Sequence, residues 1–182
     1  MATEWTLDQS TAEAIIICIN ATGAGLLLFV ARVLQPMMNA MSEKDFRSFM
    51  VSLERTAMAD PVTVTLGTLP ILAALFYFPK FGVSHLVFSA GFAIWLAGSA
   101  VTKIINMPIY KWMREPRNSD LESLRRRRRR LSFGNNLRAW LTMFSVLLMI
   151  SQFGVLETCA AVIASVAFSI PLVIFSRRYG SG

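Results

Sequence analysis

Residues 14–35 read AIIICINATGAGLLLFVARVLQ, and this stretch decides the fold class. It is apolar apart from Asn20, Thr22 and Arg32, and it is long enough to cross about 30 Å of hydrocarbon as a helix. Further apolar runs occupy 61–79, 84–107, 137–153 and 157–176. Because lipid offers the backbone no hydrogen-bond partners, such runs form helices. The sequence therefore predicts an all-α, polytopic transmembrane helix bundle with about five spans, forming one membrane domain over residues 1–182. A four-span arrangement, with the last run re-entrant, is the alternative.

The composition of the 182-residue chain agrees with this prediction and limits its chemistry. Hydrophobic residues make up 54% and charged residues 16%, whereas a soluble domain carries about a quarter charged residues. With His85, Cys18 and Cys159 as its entire set of histidines and cysteines, the chain is poor in zinc ligands. The glycine motifs of nucleotide-binding sites are also absent from the sequence. We therefore expect neither a bound metal nor another cofactor.

The distribution of Lys and Arg predicts the orientation, since these residues concentrate in cytoplasmic connections. If the first span begins outside, the inner connections 36–60 and 108–136 hold most of the basic residues, and Lys80 is the basic residue of the outer ones. The sequence therefore predicts an external N-terminus and a cytoplasmic C-terminus. It leaves the oligomeric state open, a homo-oligomer included.

Residues 42–57, SEKDFRSFMVSLERTA, predict a cytoplasmic amphipathic helix. Ser42 is a suitable cap, and Phe46, Met50 and Leu53 follow helical spacing. Such a helix typically lies along the membrane interface with its apolar face in lipid. The alternative is a hydrophobic lid over a pocket that opens inward.

Residues 108–136 predict a basic cytoplasmic loop with an uninterrupted run of arginines. The run comprises Arg125, Arg126, Arg127, Arg128, Arg129 and Arg130. Beside a membrane, each basic residue gains about 1 kcal/mol from anionic lipid headgroups. No aromatic residues interleave with the run as a base-stacking surface requires, so we expect lipid and no nucleic acid as partner. A docking site for a partner protein is the alternative.

Polar residues collect at the inner ends of the predicted spans. Asp60 precedes the second span, Asn106 lies at the end of the third, and Asn135 and Arg138 lie at the start of the fourth. In a bundle these positions share one depth, which predicts a polar floor under a pocket for a hydrophobic small molecule. The alternative is helix capping, for which Asp60 followed by Pro61 is a typical pair, and Asn135 or Asn136 could cap the fourth helix in the same way.

Two short motifs carry a family resemblance. NMPIY at 106–110 and NNLR at 135–138, together with Gln35 and the following proline, resemble the anthrone oxygenase-like family of small integral membrane proteins (DUF1772). That family typically shows N-x-P-x-N after its third span and an N-H-x-R-like element at the start of its fourth. In this sequence Tyr110 and Asn136 stand at the positions of the second Asn and the His. The resemblance covers roughly residues 15–153.

The resemblance implies oxygenation of an anthrone, a fused phenolic ketone, to a quinone without a metal or other cofactor. Arg138 would then hold the enolate oxygen, Asn106 or Asn135 would assist it, and Asp60 would be the base. The alternative is a non-enzymatic membrane protein that binds anionic lipid or a partner protein through its arginine run.

Overall fold

The computed structural model describes residues 8–115, 117–118 and 120–179, with side chains as far as 167 and at 170. This part of the chain is helical apart from short turns and contains no strand. The predicted all-α fold class is therefore confirmed.

The described part of the chain forms six long helices. They are α1 (Gln9–Ala40), α2 (Glu43–Ala59), α3 (Pro61–Phe81), α4 (Leu86–Arg114), α5 (Leu121–Ile150) and α6 (Val155–Tyr179). Among the described residues, α1, α3 and α4 are long and apolar enough to cross a membrane. The length and composition of these three helices support a membrane protein.

Capping side chains begin the helices where the sequence predicted them. The Ser42 hydroxyl accepts a hydrogen bond from the Asp45 backbone N–H at 3.2 Å, and the Asp60 carboxylate accepts one from the Thr63 N–H at 2.7 Å. Each bond satisfies a donor that the first turn of a helix leaves free. The alternative in which Asn135 or Asn136 caps the fourth helix is wrong, because both residues lie in the middle of α5.

Helices α1 and α4 each contain a π-helical segment just before a proline. Val30–Leu34 precedes Pro36, and Thr102–Asn106 precedes Pro108. Proline lacks an N–H and its ring crowds the carbonyl of the preceding turn, and a wider turn relieves both problems. Both helices therefore continue beyond the ends of their apolar runs.

Helix α5 is the central helix and packs most extensively against α4 and α1. Glycine permits the close approach to α4: a Cβ on Gly91 would lie 2.8 Å from Met149 Cγ and 3.0 Å from its backbone nitrogen. In the same way, a Cβ on Gly98 would lie 3.2 Å from Thr142 Oγ1. Small residues at such crossings let helix backbones approach where lipid removes the hydrophobic drive for association.

The prediction of a loop over residues 108–136 is wrong. Residues Met107–Arg114 complete α4, and α5 begins at Leu121, so the arginine run is helical. Three local features account for the helix: arginine has a high helix propensity, Asp120 accepts from the Ser123 N–H at 3.0 Å, and buried Leu124 and Leu131 share one face. We call residues 121–132 of α5 the arginine helix.

The apolar face of α2 is covered by protein and is not available to lipid, which corrects the prediction of an interfacial helix over 42–57. Phe46 is 0% exposed and Met50 is 2% exposed. They belong to a second hydrophobic cluster formed by Met38, Phe46, Met50, Ile109, Met113, Leu124 and Leu131. Helix α2 therefore packs with the end of α4 and the arginine helix as a small subdomain.

Candidate functional site

The arginine helix sorts its arginines onto two faces. The exposed ones are Arg125, Arg126, Arg129 and Arg130. At 100° per residue they span an arc of about 140°, and Leu124 and Leu131 lie on the opposite, buried side. We call this set of four guanidinium groups the arginine face.

The two remaining arginines pack inward. Arg128 donates to the Met41 carbonyl at 3.0 Å and lies over the Phe46 ring at 4.6 Å. Arg127 lies over the Trp112 ring at 4.5 Å. Cations at a helix C-terminus and over aromatic rings are stabilising. These two side chains therefore hold the end of α1, α2 and α4 against the arginine helix.

The exposed arginines differ in their partners. Arg125 Nε is 2.7 Å from Glu43 Oε1, and Arg126 pairs with Glu122 one turn earlier at 3.3 Å. The hydrogen bond from Arg125 lowers the pKa of the Glu43 carboxyl below its ordinary value. Arg129 is exposed and has no hydrogen-bond or ion-pair partner among the described residues.

A groove of about 430 Å³ opens between the end of α1 and the arginine helix. It is lined by Asn39, Arg125, Arg128, Arg129 and Ser132. Guanidinium groups offer several donors in a planar fork that matches phosphate and carboxylate oxygens. The groove therefore has the donors and the charge to hold an anion.

Gln35, Asn106 and Asn135 form a buried amide network that joins α1, α4 and α5. Asn135 Nδ2 donates to Gln35 Oε1 at 2.8 Å, and Asn106 Nδ2 donates to Asn135 Oδ1 at 2.9 Å. All three side chains are at most 3% exposed. Gly134 is required beside the network, because a Cβ there would collide with Asn106 Oδ1. The structure thus brings together two of the predicted site residues, Asn106 and Asn135.

The other two predicted site residues are placed differently. Arg138 donates to Thr102 Oγ1 at 2.6 Å, and its Nε is buried without a partner, as is Asn106 Oδ1. Asp60 instead accepts from the N–H and the hydroxyl of Thr63, and no described hydrogen bond joins it to the amide network. Its interpretation as a helix cap is confirmed.

Sequence reasoning missed a carboxylate cluster at the opposite end of the bundle. Glu13 is 0% exposed. It accepts hydrogen bonds from the Tyr77 hydroxyl, from Gln152 Nε2 at 2.7 Å and from Gln9 Nε2 at 3.0 Å. His85 Nδ1 lies 2.9 Å from Glu13 Oε1. Residues from both ends of the chain therefore converge on one carboxylate.

Fold and sites together define an all-α membrane protein with a basic helical extension and buried polar clusters at both ends of its bundle. Comparison with protein-family models, with curated proteins and with solved structures finds no match to this chain. The resemblance to the anthrone oxygenase-like family therefore stays a prediction.

Proposed function

We propose that this small integral membrane protein binds anionic lipid headgroups through its arginine face. The observation that carries the proposal is the exposure of Arg125, Arg126, Arg129 and Arg130 on one side of a single helix. Arg130 precedes the predicted fourth span by about two turns, or about 10 Å. The long side chain of Arg130 reaches across such a distance to the headgroup layer, whereas Arg125 and Arg126 lie about 17–18 Å from the predicted span.

In the proposed arrangement, the N-terminus lies outside, the C-terminus lies in the cytoplasm, and the second half of α5 and α6 supply the fourth and fifth spans. The continuity of α6 over Val155–Tyr179 supports a full span over a re-entrant one. The apolar side chains that the structure describes in α6 are exposed, with Val155 at 78% and Ile163 at 67%. Exposed apolar side chains are stable in the hydrocarbon layer of a membrane, whereas in water their exposure is unfavourable.

Replacing the four residues of the arginine face with glutamine tests the proposal. We expect the affinity of the full chain in neutral detergent for dioctanoyl phosphatidylserine to fall more than about tenfold, because each charge contributes about 1 kcal/mol. Arg127 and Arg128 are retained, so the fold is preserved. Microscale thermophoresis measures the affinity, and circular dichroism monitors the helices.

The matched control removes exposed charge from α2 through Lys44→Gln and Arg55→Gln. We expect this control to keep most of the affinity, and added salt to weaken lipid binding by the wild type. A glutamine variant of the arginine face that binds phosphatidylserine as tightly as the wild type would contradict the proposal.

The anthrone oxygenase-like activity is a second candidate, supported by the surroundings of Arg138. Its Nε is buried and unpartnered, and none of the described ion pairs gives it a carboxylate. A buried charge without a counter-charge is costly, and the enolate oxygen of a bound anthrone would supply one. Asn106 Oδ1 is a further buried atom without a partner.

For this second candidate we expect membranes that contain the protein to convert emodin anthrone to the quinone under oxygen. Arg138→Ala is expected to lower the rate about 100-fold, the usual effect of removing one oxyanion donor. Arg32→Ala, which removes an exposed arginine of α1, should leave the rate near that of the wild type. Quinone absorbance measures the rate, and a rate no higher than that of empty membranes would rule out this activity and leave lipid binding in place.

A further inference from the structure

We propose that the groove lined by Asn39, Arg125, Arg128, Arg129 and Ser132 binds the phosphate-monoester headgroup of an anionic lipid. This inference rests on the proposed function, since it gives the arginine face one defined site. The groove has a volume of about 430 Å³ and is widely open to solvent.

The position of the groove favours a lipid over a soluble phosphate compound. Ser132 precedes the predicted fourth span by about 7 Å of helix, and Asn39 follows the buried Gln35 by about 6 Å. The polar layer of a bilayer is about 5–7 Å thick on each side of the hydrocarbon. The end of the groove formed by Ser132 and Asn39 therefore lies at the depth of lipid headgroups, and its three arginines lie about 12–18 Å from the predicted span, on the cytoplasmic side of that end.

Asn39, one of the two neutral donors of the groove, is oriented by the buried amide network. Asn39 Oδ1 accepts from Gln35 Nε2 at 2.9 Å, and Gln35 Oε1 is held in turn by Asn135. The amino group of Asn39 is therefore the end left for a ligand, and an amide amino group only donates. The Ser132 hydroxyl rotates to donate as well. Both side chains suit an anion.

The charge of the groove matches a phosphate monoester. Arg128 donates to backbone carbonyls and shares the negative charge of Glu43 with Arg125. Arg125 uses its Nε for Glu43, while its terminal amino groups remain for a ligand. With Arg129, three guanidinium groups face one carboxylate, which leaves two positive charges. A phosphate monoester carries about −1.5 to −2 and three acceptor oxygens, whereas the phosphodiester of phosphatidylglycerol carries a single negative charge.

The test compares water-soluble lipids on the full chain in neutral detergent. We expect dioctanoyl phosphatidic acid to bind at least about tenfold more tightly than dioctanoyl phosphatidylglycerol, and inorganic phosphate not to displace it at similar concentrations. Arg129→Gln should abolish this preference. Arg130→Gln removes the same charge from a position outside the groove, so it should weaken both lipids alike, by about fivefold, and keep the preference.

Glu43→Gln supplies a test in the opposite direction. It removes the carboxylate that competes for Arg125, so we expect the affinity for phosphatidic acid to rise several-fold. An unchanged or lower affinity would count against the groove.

The outcomes separate this inference from the proposed function. If both lipids bind the wild type equally, or Arg129→Gln and Arg130→Gln act alike, the groove is overturned while binding to the arginine face stands. If inorganic phosphate displaces phosphatidic acid, the site belongs to soluble phosphate compounds and the lipid assignment is wrong. If neither lipid binds, both the groove and the proposed function fail.

Discussion

Glu13→Leu is expected to lower the free energy of unfolding by about 3–5 kcal/mol. The carboxylate is fully buried and accepts hydrogen bonds from Tyr77 on α3 and from Gln152 after α5, while His85 at the start of α4 lies beside it. Leucine leaves the buried Tyr77 hydroxyl and the partly buried Gln152 amide without their acceptor. Because they belong to different helices, the loss weakens one whole end of the bundle.

Unfolding in mixed micelles of increasing sodium dodecyl sulfate content, followed by circular dichroism, measures this loss. Glu13→Gln keeps one oxygen acceptor and the size of the side chain, so we expect a smaller loss of about 1–2 kcal/mol. Glu157→Leu places the same substitution at an exposed carboxylate at the start of α6 and should cost less than about 1 kcal/mol. A cost equally small for Glu13→Leu would show that the cluster does not hold the helices together.

The Glu13 cluster shows which part of a site the sequence leaves open. Glu13 directly precedes the first apolar run, while Tyr77 and His85 flank the turn between the second and third. The outer ends of neighbouring spans lie at one depth, as the inner ends do. The sequence therefore predicts that Glu13, Tyr77 and His85 share a depth in the membrane. The contacts themselves depend on which helices are neighbours, and hydropathy does not determine that arrangement.

The sequence predicts where helices begin and end better than it predicts what packs against them. The apolar run 61–79 lies within α3, and Ser42 and Asp60 cap the helices that they precede. The amphipathic pattern of α2 showed that its apolar face is covered, but the cover is protein and not lipid. The spacing of apolar residues shows that one face of a helix is buried, but it does not show whether protein or lipid covers that face.

The prediction of a loop over the arginine run rests on its high charge and leaves out the residues that favour a helix. Asp120 before the helix and Leu124 and Leu131 on one face were visible in the sequence. Together with the helix propensity of arginine, they would have predicted a helix. The groove beside Asn39 depends in addition on the continuation of α1 past Pro36 through a π-helical segment, and a proline normally predicts a break.

Asn135→Leu is expected to lower the free energy of unfolding by about 2–4 kcal/mol, measured in the same micelle titration. The substitution leaves Gln35 Oε1 and Asn106 Nδ2 buried without a partner, and each orphaned group costs about 1–3 kcal/mol. Leucine is also branched where Gly134 marks a close approach of α5 to α4. The substitution should therefore weaken the packing of α1, α4 and α5 against one another.

The neighbouring residue supplies the matched control. Asn136 Nδ2 donates at 2.9 Å to the Ser132 carbonyl of its own helix, so Asn136→Leu should cost less than about 1 kcal/mol. The double variant Gln35→Leu with Asn135→Leu should lose less than the sum of its single variants, because removing both partners leaves fewer unpaired groups. Equal losses at 135 and 136, or strictly additive losses at 35 and 135, would mean that the buried amide network does not join the helices.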